Sequence, residues 1–134
     1  LIFNHNVFFL RFEKQDLVQY KFASRIKETE NATLLNYGSL DGGFYTAAGI
    51  VPNIKFFYNP NISYARFPLI MDEQDRSIRE HLVDYVVVQY PENDYYKKFE
   101  NSALEENYEI IDEEIQQSED IKIHYLLFKH KSIN

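Results

Sequence analysis

The residues with the most chemical potential gather around the four glycines, Gly38, Gly42, Gly43 and Gly49, which are the only glycines in the 134-residue chain. The segment Asn36-Tyr37-Gly38-Ser39-Leu40-Asp41-Gly42-Gly43 joins a predicted strand to a predicted short helix. Open α/β sheets bind ligands at such junctions, and helix N-termini attract anions. The candidate ligand-binding residues are therefore Asn36, Tyr37, Gly38, Ser39, Asp41, Gly42, Gly43 and Tyr45.

The chemistry of this glycine loop does not match a known phosphate-binding motif. The spacing is not G-x-G-x-x-G, and no lysine follows the glycines as it does in a P-loop. Asp41 also places a negative charge where a phosphate would lie. Two interpretations stay open: the glycines permit a tight turn and close packing of a short helix, or the loop binds a small ligand.

No catalytic or metal-binding constellation is predicted, and no cofactor is implied. The chain has no cysteine, and its four histidines form neither an H-x-H nor an H-E-x-x-H pair. His124 and His130 fall on one face of the last predicted strand but are too far apart to share a metal ion. Asp112 and Glu114 also share a strand face; they are explained either by weak calcium ligation or by protection of an edge strand.

The negative charge is concentrated near the C-terminus. The chain carries a net charge of −7, of which −6 belongs to residues 100–134, and all nine acids of that region lie between Glu100 and Asp120. Such a surface repels polyanions, so nucleic acid is excluded as an expected partner. The stretch is either a solvated acidic edge or a surface for a divalent cation or a basic partner.

Hydrophobic periodicity predicts alternating helices and strands. Helices are expected at 15–30, where Asp16 could cap the start, and at 44–48, 72–83 and 93–107. Strands are expected at 33–37, 54–58, 84–90, 108–115 and 121–130, with a hairpin turn at 118–120. The sequence therefore predicts an α/β fold: a three-layer sandwich with a Rossmann-like, mostly parallel sheet of about five strands. A C-terminal antiparallel hairpin would add one strand at an edge. Residues 1–134 are expected to form a single α/β domain, with 1–14 as an edge strand or a stub of a larger protein.

Two stretches carry a resemblance to a known family. They are DLVQYKFA, from Asp16 to Ala23, and TLLNYGSLDGGFYTAAGIVPN, from Thr33 to Asn53. Over about residues 15–62 the chain resembles the soluble C-terminal region of bacterial polytopic membrane glycosyltransferases. These are of the GT-C type and similar to dolichyl-phosphate-mannose protein mannosyltransferases.

The resemblance implies a parent protein with many transmembrane helices before Leu1, for which residues 1–14 would be a membrane-proximal stub. It implies transfer of a sugar from a polyprenyl-phosphate donor at the outer face of the membrane. Catalytic acids of GT-C enzymes lie in loops between early transmembrane helices, so no residue of this chain inherits a catalytic role.

The expected function is thus a non-catalytic extracytoplasmic accessory domain at the cell membrane, serving acceptor binding or assembly. Its expected partners are the transmembrane portion of its own parent chain and a lipid-linked sugar or acceptor. One alternative is a stand-alone cytosolic protein that binds a nucleotide or other small ligand at Gly38–Gly43. Another is a protein-interaction module that uses the acidic region 100–120.

Overall fold

The computed structural model describes residues 17–60, 63–94 and 102–134. The helices are α1 (Val18–Ile26), α2 (Phe44–Ala48), α3 (Leu69–Arg79) and α4 (Ser102–Asn107), and a 3₁₀ turn spans Glu92–Asp94. The strands are β1 (Leu34–Tyr37), β2 (Tyr85–Pro91), β3 (Tyr108–Ser118) and β4 (Ile121–His130). The predicted stub at 1–14, the Asp16 cap and most of the start of the predicted helix 93–107 lie outside the described residues.

The described strands form one mixed sheet in the order β1-β2-β4-β3. β1 and β2 are parallel, with Leu35 opposite Val86, whereas β2–β4 and β3–β4 are antiparallel. The prediction of a Rossmann-like, mostly parallel sheet of about five strands is therefore wrong. The sheet has four strands and one parallel pair, because one predicted strand does not form and the C-terminal hairpin supplies half of the sheet.

Residues 54–58 were expected to form a strand, but they adopt an irregular path of bends and turns. Their carbonyl groups bond to side chains instead of a neighbouring strand. The Phe56 carbonyl accepts a hydrogen bond from Gln74 Nε2 at 3.0 Å, and the Phe57 carbonyl accepts one from the Tyr45 hydroxyl. The aromatic residues there still pack inward, with the Phe57 ring edge-on to Tyr45 at 5.3 Å. The strand prediction was wrong because it used only the apolar composition of this segment, and its carbonyl groups bond to side chains that are distant in sequence.

The C-terminal hairpin does form, but its strands take positions other than the expected ones. β4 lies inside the sheet between β2 and β3, and its residues Tyr125–Phe128 are buried. β3 is the edge strand, and a register irregularity separates Ile110 from Asp112. The placement follows from composition, since the apolar stretch of β4 is covered on both faces and the acidic β3 keeps one side open to solvent.

Helices cover both faces of the sheet. On one face, α1 and α2 pack Phe22, Ile26 and Phe44 against alternate strand residues; these are Leu34, Tyr85, Val87, Tyr125 and Leu127. On the other face, α3 and α4 supply Ile78 and Leu104, which belong to one cluster with Leu35, Val86, Val88, Leu126 and Phe128. The period-two alternation along β2, buried on both sides, explains why its sequence reads as a continuous apolar run.

The helix boundaries differ from the expected ones by a few residues. α3 begins at Leu69 after Pro68, three residues before the predicted start, which leaves Asp72 within its first turn. α2 matches its predicted bounds, Phe44–Ala48, and ends at Gly49 with a φ of 69°. A left-handed residue at that place is the usual way to end a helix, and glycine adopts it at the lowest cost.

Candidate functional site

Asn36 is the third residue of β1, shortly before the glycine loop, and it is fully buried. Its main-chain N–H donates to the Tyr45 hydroxyl at 2.9 Å, and its Nδ2 donates to the Leu40 carbonyl at 2.7 Å. These two bonds fold the loop back on itself and tie it to α2. The Asn36 side chain therefore stabilises this turn through its hydrogen bond to the Leu40 carbonyl.

A buried glutamine from α3 holds the same loop from the opposite side. Gln74 is fully buried; its Oε1 accepts from the Gly38 N–H at 2.9 Å and its Nε2 donates to the Phe56 carbonyl. A longer contact, 3.5 Å, joins Nε2 to the Asn36 carbonyl. One amide thus joins α3, the glycine loop and the irregular segment 54–58. Sequence reasoning missed Gln74, since an isolated glutamine on a helix gives no signal of its own.

Tyr45 of α2 completes this hydrogen-bonded group. Its hydroxyl accepts from the Asn36 N–H and donates to the Phe57 carbonyl. Burial is the main cause that raises the pKa of this phenol far above its ordinary value, with the charge of Asp41 contributing. The phenol is therefore neutral across the physiological range and acts as a structural bridge.

The remaining polar residues of the loop also form hydrogen bonds within the fold. The exposed Asp41 carboxylate accepts from the Gly43 N–H at 3.0 Å, and Gln19 Nε2 of α1 donates to the Gly42 carbonyl at 2.9 Å. Gly43 precedes α2 with a φ of 84°, a conformation that favours glycine. The Tyr37 hydroxyl donates to Asp75 at 2.6 Å. The Asp41–Gly43 contact is an Asx turn, which fixes the approach to α2.

Ser39 is the least committed of the predicted site residues. Its carbonyl accepts from the Asn59 N–H at 2.8 Å, but its buried Oγ has no hydrogen-bond partner among the described residues. The same holds for Asn36 Oδ1. The eight predicted residues thus lie at the end of β1, in the loop that follows it and in α2. Most of their polar groups bond within the fold rather than around an opening.

An open depression lies at the other end of β1. Its volume is about 470 Å³, and it is lined by the ends of α1 and α2 and the turn before β1, including Lys27, Glu30, Asn31, Thr33 and Val51. The glycine loop follows the last residue of β1, whereas this depression adjoins its first. The described depression and the predicted ligand loop are therefore separate places.

Two histidines form a cluster that the sequence did not predict. The rings of His81 and His130 stack with centroids 3.4 Å apart and an angle of 4° between them. His81 Nε2 lies 3.4 Å from Asp84 Oδ1, and the Tyr108 ring meets His130 edge-on. Burial and the neighbouring His81 lower the pKa of His130, against the opposing influence of Asp84. His81 lies after α3 in a turn with a φ of 52°, not on a helix as expected.

The described residues contain no group of three or more His, Cys, Asp or Glu side chains placed to hold a metal ion. In the same residues, no helix is both long and apolar enough to cross a membrane. Comparison with protein-family models, with curated proteins and with solved structures found no match for this chain.

Proposed function

We propose that this chain is a non-catalytic accessory domain on the extracytoplasmic side of a membrane-embedded glycosyltransferase that uses a polyprenyl-phosphate sugar. In this role the domain binds the acceptor or supports assembly of the enzyme. Its partners are the transmembrane portion of its own parent chain and a lipid-linked sugar or acceptor. The proposal rests on the resemblance carried by TLLNYGSLDGGFYTAAGIVPN, together with the way this segment is bonded.

The bonding of the glycine loop is the observation that supports a framework role. A phosphate-binding loop needs main-chain N–H groups directed at the anion. Here the N–H groups of Asn36, Gly38 and Gly43 already donate to Tyr45, Gln74 and Asp41, respectively. The segment from Thr33 to Asn53 therefore holds α2 and α3 in place on the sheet. We expect such bonding in a domain that binds its partners with its outer surfaces.

The charge distribution fits the same role. The acidic residues of β3 lie on the edge strand, at the opposite side of the sheet from β1 and its loop. A surface with this charge repels nucleic acid, so protein or neutral sugar acceptors are the partners to test there.

A topology experiment tests the proposal. In the parent gene, the region upstream of Leu1 is expected to encode several hydrophobic spans, and alkaline phosphatase fused after Asn134 should be active in bacteria. The matched control fuses green fluorescent protein at the same position, which should stay dark on the outer side. A fluorescent fusion with inactive phosphatase, or a parent without hydrophobic spans, would contradict the proposal.

A second candidate is a small-ligand site in the glycine loop. The observation in its favour is the pair of buried oxygens, Asn36 Oδ1 and Ser39 Oγ, that lack a partner among the described residues. A thermal-shift screen with nucleotides and sugar nucleotides tests it, with Gly42→Val as the loop variant. Stabilisation that Gly42→Val abolishes would support a ligand site, whereas no shift across the panel would rule against it.

A further inference from the structure

The outer edge of β3 combines acidic side chains with exposed isoleucines. β3 is eleven residues long and lies at the end of the sheet, and no other described strand pairs with its outer side. An edge strand presents unpaired N–H and C=O groups that can template another strand. From Asp112 to Ser118 its register with β4 is uninterrupted. One main-chain group in this stretch is already bonded, because the Glu113 N–H donates to Asp112 Oδ1 at 2.9 Å.

Upstream of that stretch the edge is less accessible to a partner. The register shifts between Ile110 and Asp112, and the Ile111 carbonyl accepts a contact from Arg25 Nη2 of α1 at 3.4 Å. A strand that adds to this edge would therefore pair with residues 112–117.

The side chains of β3 alternate between the two faces of the sheet, and Glu113, opposite Leu126, lies on the face away from α1. Asp112 pairs with Leu127 and Glu114 with Tyr125, which places both carboxylates on the α1 side, where Lys21 lies 3.1 Å from Glu114. Ile115 pairs with His124 on the opposite face, and it is 53% exposed.

Ile110, opposite Phe128, also lies on the face of Ile115 and is 55% exposed. Acidic side chains are enough to protect an edge strand against pairing with another strand. The two exposed isoleucines add apolar surface that such protection does not explain, and exposed apolar surface is typical of a binding site.

We propose that β3 binds an extended, basic segment of another protein, which adds to the sheet beside residues 112–117. The partner would alternate basic and apolar side chains, with the basic ones facing Asp112 and Glu114 and the apolar ones packing on Ile115. Charge complementarity selects this occupant, since β3 carries Glu109, Asp112, Glu113 and Glu114 and no base. A second copy of β3 would set these carboxylates against each other and be repelled. This inference does not depend on the proposed function.

The test uses the full 134-residue chain and two fluorescent peptides of the sequence Lys-Val-Lys-Val-Lys-Val-Lys-Val. One peptide has a normal backbone, and the other carries N-methyl groups on alternate residues, which removes strand hydrogen bonding at the same charge. Anisotropy titration should show saturable binding of the normal peptide and at least about tenfold weaker binding of the methylated one. Hydrogen exchange of residues 112–117 should slow when the normal peptide binds.

Two variant pairs localise the binding. Asp112→Asn combined with Glu114→Gln, which removes the two carboxylates that the basic side chains would face, should weaken binding of the normal peptide by about tenfold at low salt. The matched control is Glu28→Gln combined with Glu30→Gln, which removes two exposed charges near β1 at the other edge of the sheet. This control should change the affinity for the normal peptide little. Ile115→Thr should also weaken binding, whereas Val51→Thr, at a position 88% exposed, should not.

Several outcomes would overturn the inference. Equal binding of the two peptides, or equal losses in both charge-variant pairs, would show a non-specific attraction between charges. Absence of saturable binding would show that the acids only protect the edge. Concentration-dependent dimerisation in sedimentation, relieved by Ile115→Thr, would assign the edge to a second copy of the chain.

Discussion

Replacing Gln74 by methionine tests directly whether one buried amide holds the glycine loop in place. Methionine keeps the length and volume of the side chain but neither accepts from the Gly38 N–H nor donates to the Phe56 carbonyl. A buried group left without its partner costs about 1–3 kcal/mol, so the two losses together should lower the free energy of unfolding by roughly 2–5 kcal/mol. For a chain of this size each kcal/mol shifts Tm by about 3–5 °C, so Tm should fall by roughly 6–25 °C.

The assay is urea unfolding of the full chain followed by far-UV circular dichroism, with Tm measured in parallel. Gln117→Met is the matched control, because Gln117 is exposed on β3 and water can replace its bond to the Glu119 carbonyl. The control should stay within about 0.5 kcal/mol of the parent protein. If Gln74→Met loses less than about 1 kcal/mol, or no more than the control, the amide is not what holds the loop.

Gln74→Glu adds a pH signature to the same test. The new carboxyl could still accept from Gly38 N–H but would face the Phe56 carbonyl with a lone pair, and burial raises its pKa above the usual range. A group whose pKa is raised by folding stabilises the fold below its unfolded pKa, about 4.3 for glutamate, and that stabilisation is lost as pH rises. The variant should therefore lose stability between acidic and neutral pH relative to Gln74→Met, and parallel pH profiles of the two variants would refute the buried geometry.

Three further predictions follow from single contacts. Tyr45→Phe removes two buried hydrogen bonds and should lower the free energy of unfolding by about 2–4 kcal/mol in urea titrations; a loss under about 0.5 kcal/mol would contradict the bridging role. Burial raises the pKa of Tyr45 and of Tyr108, so the stability that these phenols contribute is complete below a pH of about 10 and is lost as the pH rises further. Subtracting the spectrophotometric titration of Tyr45→Phe or Tyr108→Phe from that of the parent protein should show a phenolate that forms only on alkaline unfolding. Gly49→Ala, at a φ of 69° with open space around the added methyl, should cost about 1 kcal/mol and Gly49→Asn less; equal losses would argue against backbone strain.

Local elements were largely predictable from the sequence because they depend on near neighbours. The apolar run that became β2, the helix periodicity at Val18, Phe22 and Ile26, and the turn before Ile121 all appear in the structure. Strand pairing depends on contacts between distant segments, and there the sequence reasoning failed. Nothing local shows that β4 lies between β2 and β3, and alternation of helices and strands favoured a parallel sheet that does not form.

The sequence predicted where the candidate site residues lie, but it did not predict what their polar groups bind. Asn36, Tyr45 and the glycines between them are close in sequence, so their proximity in space required no long-range information. Their partners are remote: Gln74 lies on α3, and the Phe57 carbonyl lies in a segment that was expected to be a strand. Whether a polar loop binds a ligand or the rest of the protein depends on these remote groups.

The sheet order separates the glycine loop from the acidic edge of β3. The glycine loop follows β1 at one edge of the sheet, and the acidic residues line β3 at the other, with β2 and β4 between them. Neighbouring strands lie about 4.8 Å apart, so the two edges are separated by roughly 14 Å across the sheet. Substitutions at this distance are expected to act additively. A change at Ile115 that alters peptide binding should thus leave the Gln74 stability effect intact, and coupling between the two would mean that β3 occupancy is transmitted through β2 and β4 to the loop.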